Sequence, residues 1–254
     1  HPTERRLINP TTGFDNSSFQ NTPLWCSARD GRNGRWRAER VRQRDVVDRT
    51  EGCTIDHMSL PYFADDPRTN RERMLAGDLY IADDPDSERI AREALRLTYD
   101  YHRAEASGEP DARAHLVALL GDLGEGAYVK PPLFVDYGEN IRIGARTFVN
   151  SNLTALDVAA ITIGEDCQIG PNVQLLTPTH PIDPRSRRDK LEAARPITLG
   201  DNVWLGGGVV VCPGVTIGDN TVVGAGAVVT KDLPANVVAI GNPARVAREI
   251  GERD

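Results

Sequence analysis

No apolar run in the chain approaches the roughly 18–20 residues that a bilayer-spanning helix needs, so no membrane protein of that kind is expected. The first thirty residues hold no continuous apolar segment either, and no signal peptide is expected. Positive charge is also short. Thirty lysines and arginines against 37 aspartates and glutamates leave a net charge of −7, whereas general nucleic-acid binding needs a basic surface to displace phosphate counterions. Cysteine is sparse and unpaired, since Cys26, Cys53, Cys167 and Cys212 form no CxxC. That pattern argues against a zinc site or a disulfide frame and fits free thiols in a reducing cytoplasm.

Lysine is missing from residues 1–57, which carry ten arginines, many turn formers and little hydrophobic periodicity. Such a segment cannot bury enough apolar area to offset its ordering entropy. A disordered or poorly packed extension is expected over 1–65.

Residues 66–125 read as helical. Thr69 or Asn70 caps a first helix that stops at Gly77. Asp86 or Ser87 caps a second, in which Ile90, Ala94, Leu97 and Tyr101 form one apolar stripe. A third starts near Pro110 and carries Leu116, Leu119, Leu120 and Leu123.

From residue 126 the pattern changes to sixes. Leu199, Leu205, Val211, Ile217, Val223 and Val229 recur at the first position, usually followed by glycine, and earlier copies of the frame begin at Ile143, Val149, Ile163, Ile169 and Leu175. Neither a helix nor a two-faced strand needs a period of six. A coil that turns a corner every six residues does, with an aliphatic side chain pointing inward and a small residue at the bend. Three sixes close a triangular turn, and the turns stack at the parallel-strand spacing. The fold class expected over 126–250 is therefore mainly β, a hexapeptide parallel β-helix.

Two departures interrupt the period. Ile143 and Ile163 stand twenty apart rather than eighteen, so two residues bulge near "NLTALDVAA". Residues 181–196, with three prolines and eight charged residues, fit no hexapeptide and read as an exposed loop thrown off one corner. Arg185, Arg187 and Arg188 in it read as a solvated face.

From about Arg73 to Ile250 the chain closely resembles the sugar O-acetyltransferases of the maltose and galactoside group. The residues that carry the likeness are "MLAGDLY", "PPLFVDYGENIRIG", "FVNSNLT", "TPTHPIDP" and "GAVVTKDLPANVVAIGNPAR". "THPIDP" is more similar to the maltose branch. The resemblance implies a left-handed β-helix, a homotrimer, acetyl-CoA as donor, no metal, and a sugar such as maltose or glucose as acceptor.

Transfer to a hydroxyl needs a base, and an imidazole is suited to it near neutrality. His180, the single histidine of the β-helical region, matches the family's catalytic base. No activated Ser or Cys nucleophile is apparent, so direct attack is expected. The match implies substrate contacts at Asn150, Asp136 and Asp157, with Asp83 or Asp84 reaching in from the helical region. Asn152 lies beside Asn150, and a structural asparagine ladder is the other reading of such residues. Val158 stands where the galactoside branch has a second acid. For acetyl-CoA the match implies Trp204 and Ala225 along a groove, with backbone N–H groups near Gly206 and Gly207 toward the thioester oxygen. Thr230, Lys231 and Arg245 are implied near the phosphates.

Three rivals frame this reading. Hexapeptide zinc carbonic anhydrases need three histidine ligands, and this region supplies one. An acetyltransferase for a non-sugar or amino-sugar acceptor shares every feature above. A non-catalytic trimeric scaffold would release no CoA thiol with any acceptor.

Overall fold

The computed structural model describes Trp25–Arg29, Trp36–Arg40 and residues 61–251. The expected poorly packed extension over 1–65 falls mostly outside the described residues. Those described there are an antiparallel two-stranded ladder, with Trp25 opposite Arg40 and Arg29 opposite Trp36, and a 3-10 turn at Pro61–Phe63.

A second unit runs from Pro67 to the end of the chain. Helix α1, Asn70–Leu75, opens with a capping box. Thr69 Oγ1 accepts from the Glu72 N–H at 3.1 Å, and Glu72 Oε2 accepts from the Thr69 N–H at 2.7 Å. Helix α2, Pro85–Ser107, is capped by Asp84 rather than Asp86 or Ser87. Asp84 Oδ1 accepts from both of those N–H groups, and Pro85 fills the first helical position, where no N–H is needed. Gly108, at φ 66°, closes the helix. The face α2 buries runs through Ala94, Thr98, Tyr101 and Ala104, so Ile90 and Leu97 sit at its margin. Helix α3 spans Ala112–Leu119. The Tyr101 hydroxyl donates to the Val129 carbonyl, and Arg113 Nη1 donates to the Ala127 carbonyl at 2.6 Å, which ties the helices to the first coil.

The rest is a three-sided parallel β-solenoid of about six turns. The first sheet holds Asp122–Leu123, Ile141–Ile143, Ile161–Ile163, Ile197–Leu199 and Thr216–Ile217. The second holds Tyr128–Val129, Phe148–Val149, Gln168–Ile169, Trp204–Leu205, Val222–Val223 and Val237–Ile240, with Arg245–Glu249 antiparallel at its edge. The third holds Leu133–Val135, Leu153–Leu156, Gln174–Leu176, Val210–Val211 and Val228–Val229. The first coil strand thus begins at Asp122, inside the stretch read as helical.

Each six contributes one inward residue to a stacked column. Leu123, Ile143, Ile163, Leu199 and Ile217 lie opposite one another turn by turn. From Ile143 on, the members of that column are buried, as are Val149, Ile169, Leu205 and Val223 on the second side. Burial of each aliphatic side chain contributes about 1.5–3 kcal/mol. At the outer bends Asn152 adopts a left-handed φ of 65° and donates to Asn172 at 3.0 Å, while Asn202, Asn220 and Asn236 form a second ladder at 2.9 Å per step. The asparagine-ladder reading therefore holds for Asn152.

The residues in excess of the period gather at a single corner, between the third and first sheets. Leu153–Leu156 is a regular strand, so the bulge expected near "NLTALDVAA" narrows to 157–160. A like bulge at 136–140 went unread because the hexapeptide frame becomes legible only from Ile143. Asp157, fully buried, holds the lower bulge: its carboxylate accepts from the N–H groups of Asp136 (3.0 Å), Tyr137 (2.9 Å) and Asn140 (3.2 Å). One turn higher, Thr177 Oγ1 donates to the Leu156 carbonyl at 2.6 Å and accepts from the Ala159 N–H at 3.0 Å.

The 181–196 loop leaves from this corner and is less exposed than expected. Pro178–Thr179 pairs antiparallel with Leu191–Ala194, which pairs on its other edge with Tyr80–Ile81. Leu191 and Ala194 are buried, whereas Ile182 at the tip is 94% exposed. A short helix α4, Pro184–Arg188, lies between. Among the described residues no helix is long and apolar enough to cross a membrane, and Cys167 and Cys212 are free thiols.

Replacing Asp157 by Ala strands three backbone donors in the corner, and each orphaned donor costs on the order of 1–3 kcal/mol. Asp157→Ala is expected to lower the unfolding free energy in urea by at least that amount, and Asp157→Asn by less. An unchanged midpoint would show that the bulge does not depend on this carboxylate.

Candidate active site

His180 follows Pro178–Thr179 at the crowded corner and is exposed to solvent. Its Nδ1 lies 3.3 Å from the Leu191 carbonyl oxygen. A carbonyl can only accept, so in the neutral ring this contact favours the tautomer with the proton on Nδ1, whose Nε2 offers a lone pair. The backbone after the histidine is braced. Asp183 caps α4, accepting from the Ser186 N–H at 2.7 Å, and Arg187 Nη1 donates to the carbonyls of Pro181 (3.0 Å) and Ile182 (2.8 Å). Arg187 is exposed yet bonded inward to the loop, so the solvated-face reading is incomplete for it.

Acid gathers beside the same corner. Burial first, then the charges of Asp157 and Glu192, push the Asp136 carboxyl up to about 6. Asp157 is also pushed up by burial, against the backbone donors that pull it down. Its oxygens are committed to the bulge of the preceding turn and its side chain is sealed from solvent. The substrate contact expected of Asp157 is therefore corrected to a structural role. Glu192, which sequence reasoning missed, accepts from the Tyr80 hydroxyl at 2.7 Å. In the sequence it is one of eight charges in an irregular loop, and only the pairing of Leu191–Ala194 with Tyr80–Ile81 distinguishes it.

The two acids expected from the helical region have local duties. Asp84 caps α2 and also accepts from the Arg71 N–H at 3.1 Å, which holds its carboxyl below the usual range although burial opposes. Asp83 accepts from Asn70 Nδ2 at 2.6 Å.

A second constellation lies along the outside of the second sheet and its far corner, in a groove of about 510 Å³. Asn150, Gln168, Trp204, Gly206, Gly207 and Ala225 line it. Trp204 is 55% exposed, an unusual position for the largest side chain. The coils stack so tightly here that a Cβ on Gly206 would meet the Ala225 nitrogen at 2.5 Å. The Gly206 N–H is spent on the Val223 carbonyl at 2.8 Å. Of the two N–H groups expected to face the thioester oxygen, that of Gly206 is thus taken, whereas that of Gly207 has no acceptor among the described residues. Asn150 Oδ1 accepts from the Ser151 N–H at 2.8 Å, leaving its Nδ2 donors for the groove. Thr230, Lys231 and Arg245 are exposed at the last coils and do not line it. Arg245 Nη1 donates to the Ala244 carbonyl at 2.7 Å.

The fold thus brings Asn150, Trp204, Gly207 and Ala225 together, and separately gathers His180 with Asp136 and Glu192; His180 does not line the groove. No group of three His, Cys, Asp or Glu side chains able to hold a metal occurs among the described residues.

Comparison with known proteins matches these parts to one family. Residues 73–124 match the maltose acetyltransferase hexapeptide capping motif, and 196–231 match the bacterial transferase hexapeptide model. The chain is 46% identical over 179 residues to nodulation protein L of Rhizobium meliloti (strain 1021), covering 70% of this chain and 98% of that protein. A maltose O-acetyltransferase from Clostridium difficile 630 is 42% identical with a TM-score of 0.71, covering 73% of this chain and 99% of its own. A galactoside acetyltransferase solved in complex with coenzyme A is 41% identical with a TM-score of 0.71, covering 74% and 94%. With its capping helices, its hexapeptide coils and relatives matched almost end to end, the chain belongs to the maltose and galactoside O-acetyltransferase family and is an acyltransferase.

Proposed function

We propose that this protein moves an acetyl group from acetyl-CoA to a hydroxyl of a sugar such as maltose or glucose, with His180 as general base. The observation that carries the reading is the Leu191 carbonyl against His180 Nδ1, which leaves Nε2 as a proton acceptor. The sugar oxygen attacks the thioester carbon while its proton passes to Nε2. The C–S bond then breaks, and the imidazolium returns the proton to the departing CoA sulfur. The Gly207 N–H meets the oxyanion of the tetrahedral intermediate.

The donor fits the second-sheet groove. Trp204 offers a flat apolar wall to the acyl–pantetheine arm, Ala225 lines its path, Thr230, Lys231 and Arg245 answer the phosphates, and Asn150, at the same groove, is the residue that contacts the sugar. Coenzyme A bound to the galactoside acetyltransferase of similar fold supports this choice of donor. Asp136 is the acceptor-side acid of this reading, with Asp83 at the rim.

Groove and base stand on different corners of the prism, which supports a homotrimer in which each groove is completed by a neighbour's His180 corner. Ile182 at the loop tip is 94% exposed, and a neighbouring copy would cover it.

His180→Ala is expected to lower kcat by about 10²–10⁴, followed as CoA thiol release with maltose or glucose as acceptor. An undiminished rate would move the chemistry elsewhere. Trp204→Ala should raise the KM for acetyl-CoA about tenfold or more, given the area an indole covers, and leave the KM for sugar nearly unchanged. The Asp136 carboxyl, at about 6, changes from acid to carboxylate as pH rises. A charged acceptor makes the stronger bond to a sugar hydroxyl, so the sugar KM should fall as pH rises from 5 to 7. Asp136→Asn should flatten that dependence, and an equal slope in the variant would remove Asp136 from the acceptor site.

A further inference from the structure

The imidazole of His180 is oriented by a carbonyl that itself needs holding. Leu191 and Glu192 belong to a strand whose outer edge pairs with Tyr80–Ile81 through only two residue pairs, Leu191 opposite Ile81 and Glu192 opposite Tyr80. So short a ladder has little stability of its own. Two side-chain features reinforce it. Leu191 is buried, and the Tyr80 hydroxyl donates to Glu192 Oε2 at 2.7 Å from a ring that is only 2% exposed. Tyr80 is in turn anchored among Met74, Val158 and Ala194, which come from α1, the 157–160 bulge and the loop strand. The ring therefore cannot follow the loop, and the loop is tied to the ring.

Charge makes the tie matter. Glu192 stands close enough to Asp136 to help hold that carboxyl protonated toward neutrality. Among the described residues the Tyr80 hydroxyl is the donor to Glu192. A carboxylate left with no donor beside a like charge is disfavoured where it stands, so loss of the Tyr80 hydroxyl is expected to turn Glu192 toward water and to draw its strand with it. The Nδ1–Leu191 distance of 3.3 Å is already at the long end for a hydrogen bond, so a shift of a few tenths of an ångström breaks it.

We propose that Tyr80 is a positioning residue of the active site: through Glu192 it keeps the Leu191 carbonyl against His180 Nδ1, which aims Nε2 at the acceptor hydroxyl. This rests on the reading of His180 as general base. Tyr80 touches neither the groove nor the reacting atoms; it acts through the strand. The helical cap thereby has a catalytic consequence as well as a structural one, since the residue that orients the base comes from the chain ahead of α2.

The test is a mutant cycle on the full chain, read as CoA thiol release with maltose or glucose at saturating acetyl-CoA. Tyr80→Phe keeps the buried ring and removes only the hydroxyl. It should lower kcat about tenfold, in line with the cost of small misplacements at a reacting centre, with the KM for acetyl-CoA unchanged. Glu192→Gln keeps an oxygen that accepts from the hydroxyl and should retain most of the rate, whereas Glu192→Ala should match Tyr80→Phe. The decisive comparison is made in a His180→Ala background. There Tyr80→Phe should leave the residual rate within about twofold, because residues acting through one group are not additive. A wild-type kcat in Tyr80→Phe overturns the proposal, and so does the same tenfold loss in the His180→Ala background, which would mean a general structural role. A His180→Ala enzyme with full activity removes the base assignment itself, and the positioning role with it.

Discussion

The architecture from Pro67 onward depends on one constraint, that each turn of the coil must lay its inward aliphatic side chain on that of the turn below. Column residues such as Ile143, Ile163, Leu199 and Ile217 are in register because the parallel backbone ladders of three sheets allow no other stacking. The prism has no slack along its axis. Extra residues cannot be absorbed within a side, so they leave at a corner, and here they all leave at the same one. The rigid column thereby makes an irregular edge, and the irregular edge is where the side chains with chemistry collect.

That edge is held by polar groups that give up their reactivity to do so. Asp157 commits its carboxylate to three N–H groups of the turn below, and Thr177 repeats the device one turn higher. Asp136, with no such donor among the described residues and crowded by two acids, keeps a carboxyl pushed up to about 6. The same residue type thus serves as mortar at one position and keeps a carboxyl raised toward neutrality at another, and the backbone donors within reach decide which. His180 sits on top of this arrangement, oriented by a carbonyl rather than by an acid.

The coil was legible from the sequence because its period is strict and its inward positions are aliphatic each time. The helices were legible from caps and stripes, although Asp84 displaced Asp86 and Ser87 as the cap of α2 once Pro85 took the first helical position. The candidate base was legible because a single histidine stands where the period breaks. Other features were not. Nothing in "DKLEAARP" marks Glu192, and nothing in "FVDYGEN" shows that two residues bulge there. Both depend on pairing with segments far along the chain, Tyr80–Ile81 in one case and Asp157 in the other.

The repeat, the aliphatic column, the family and the position of the single histidine of the coil region could be read from the chain alone, because each is a local pattern repeated or placed within a few residues. Only the stacked coils decided which acid is sealed among backbone donors, that the Gly206 N–H is bonded within the coil, and which strand lays a carbonyl against the imidazole. Those outcomes depend on distances across turns and between the loop and the helical cap. Spacing along the chain carries no record of such distances until the coils have stacked.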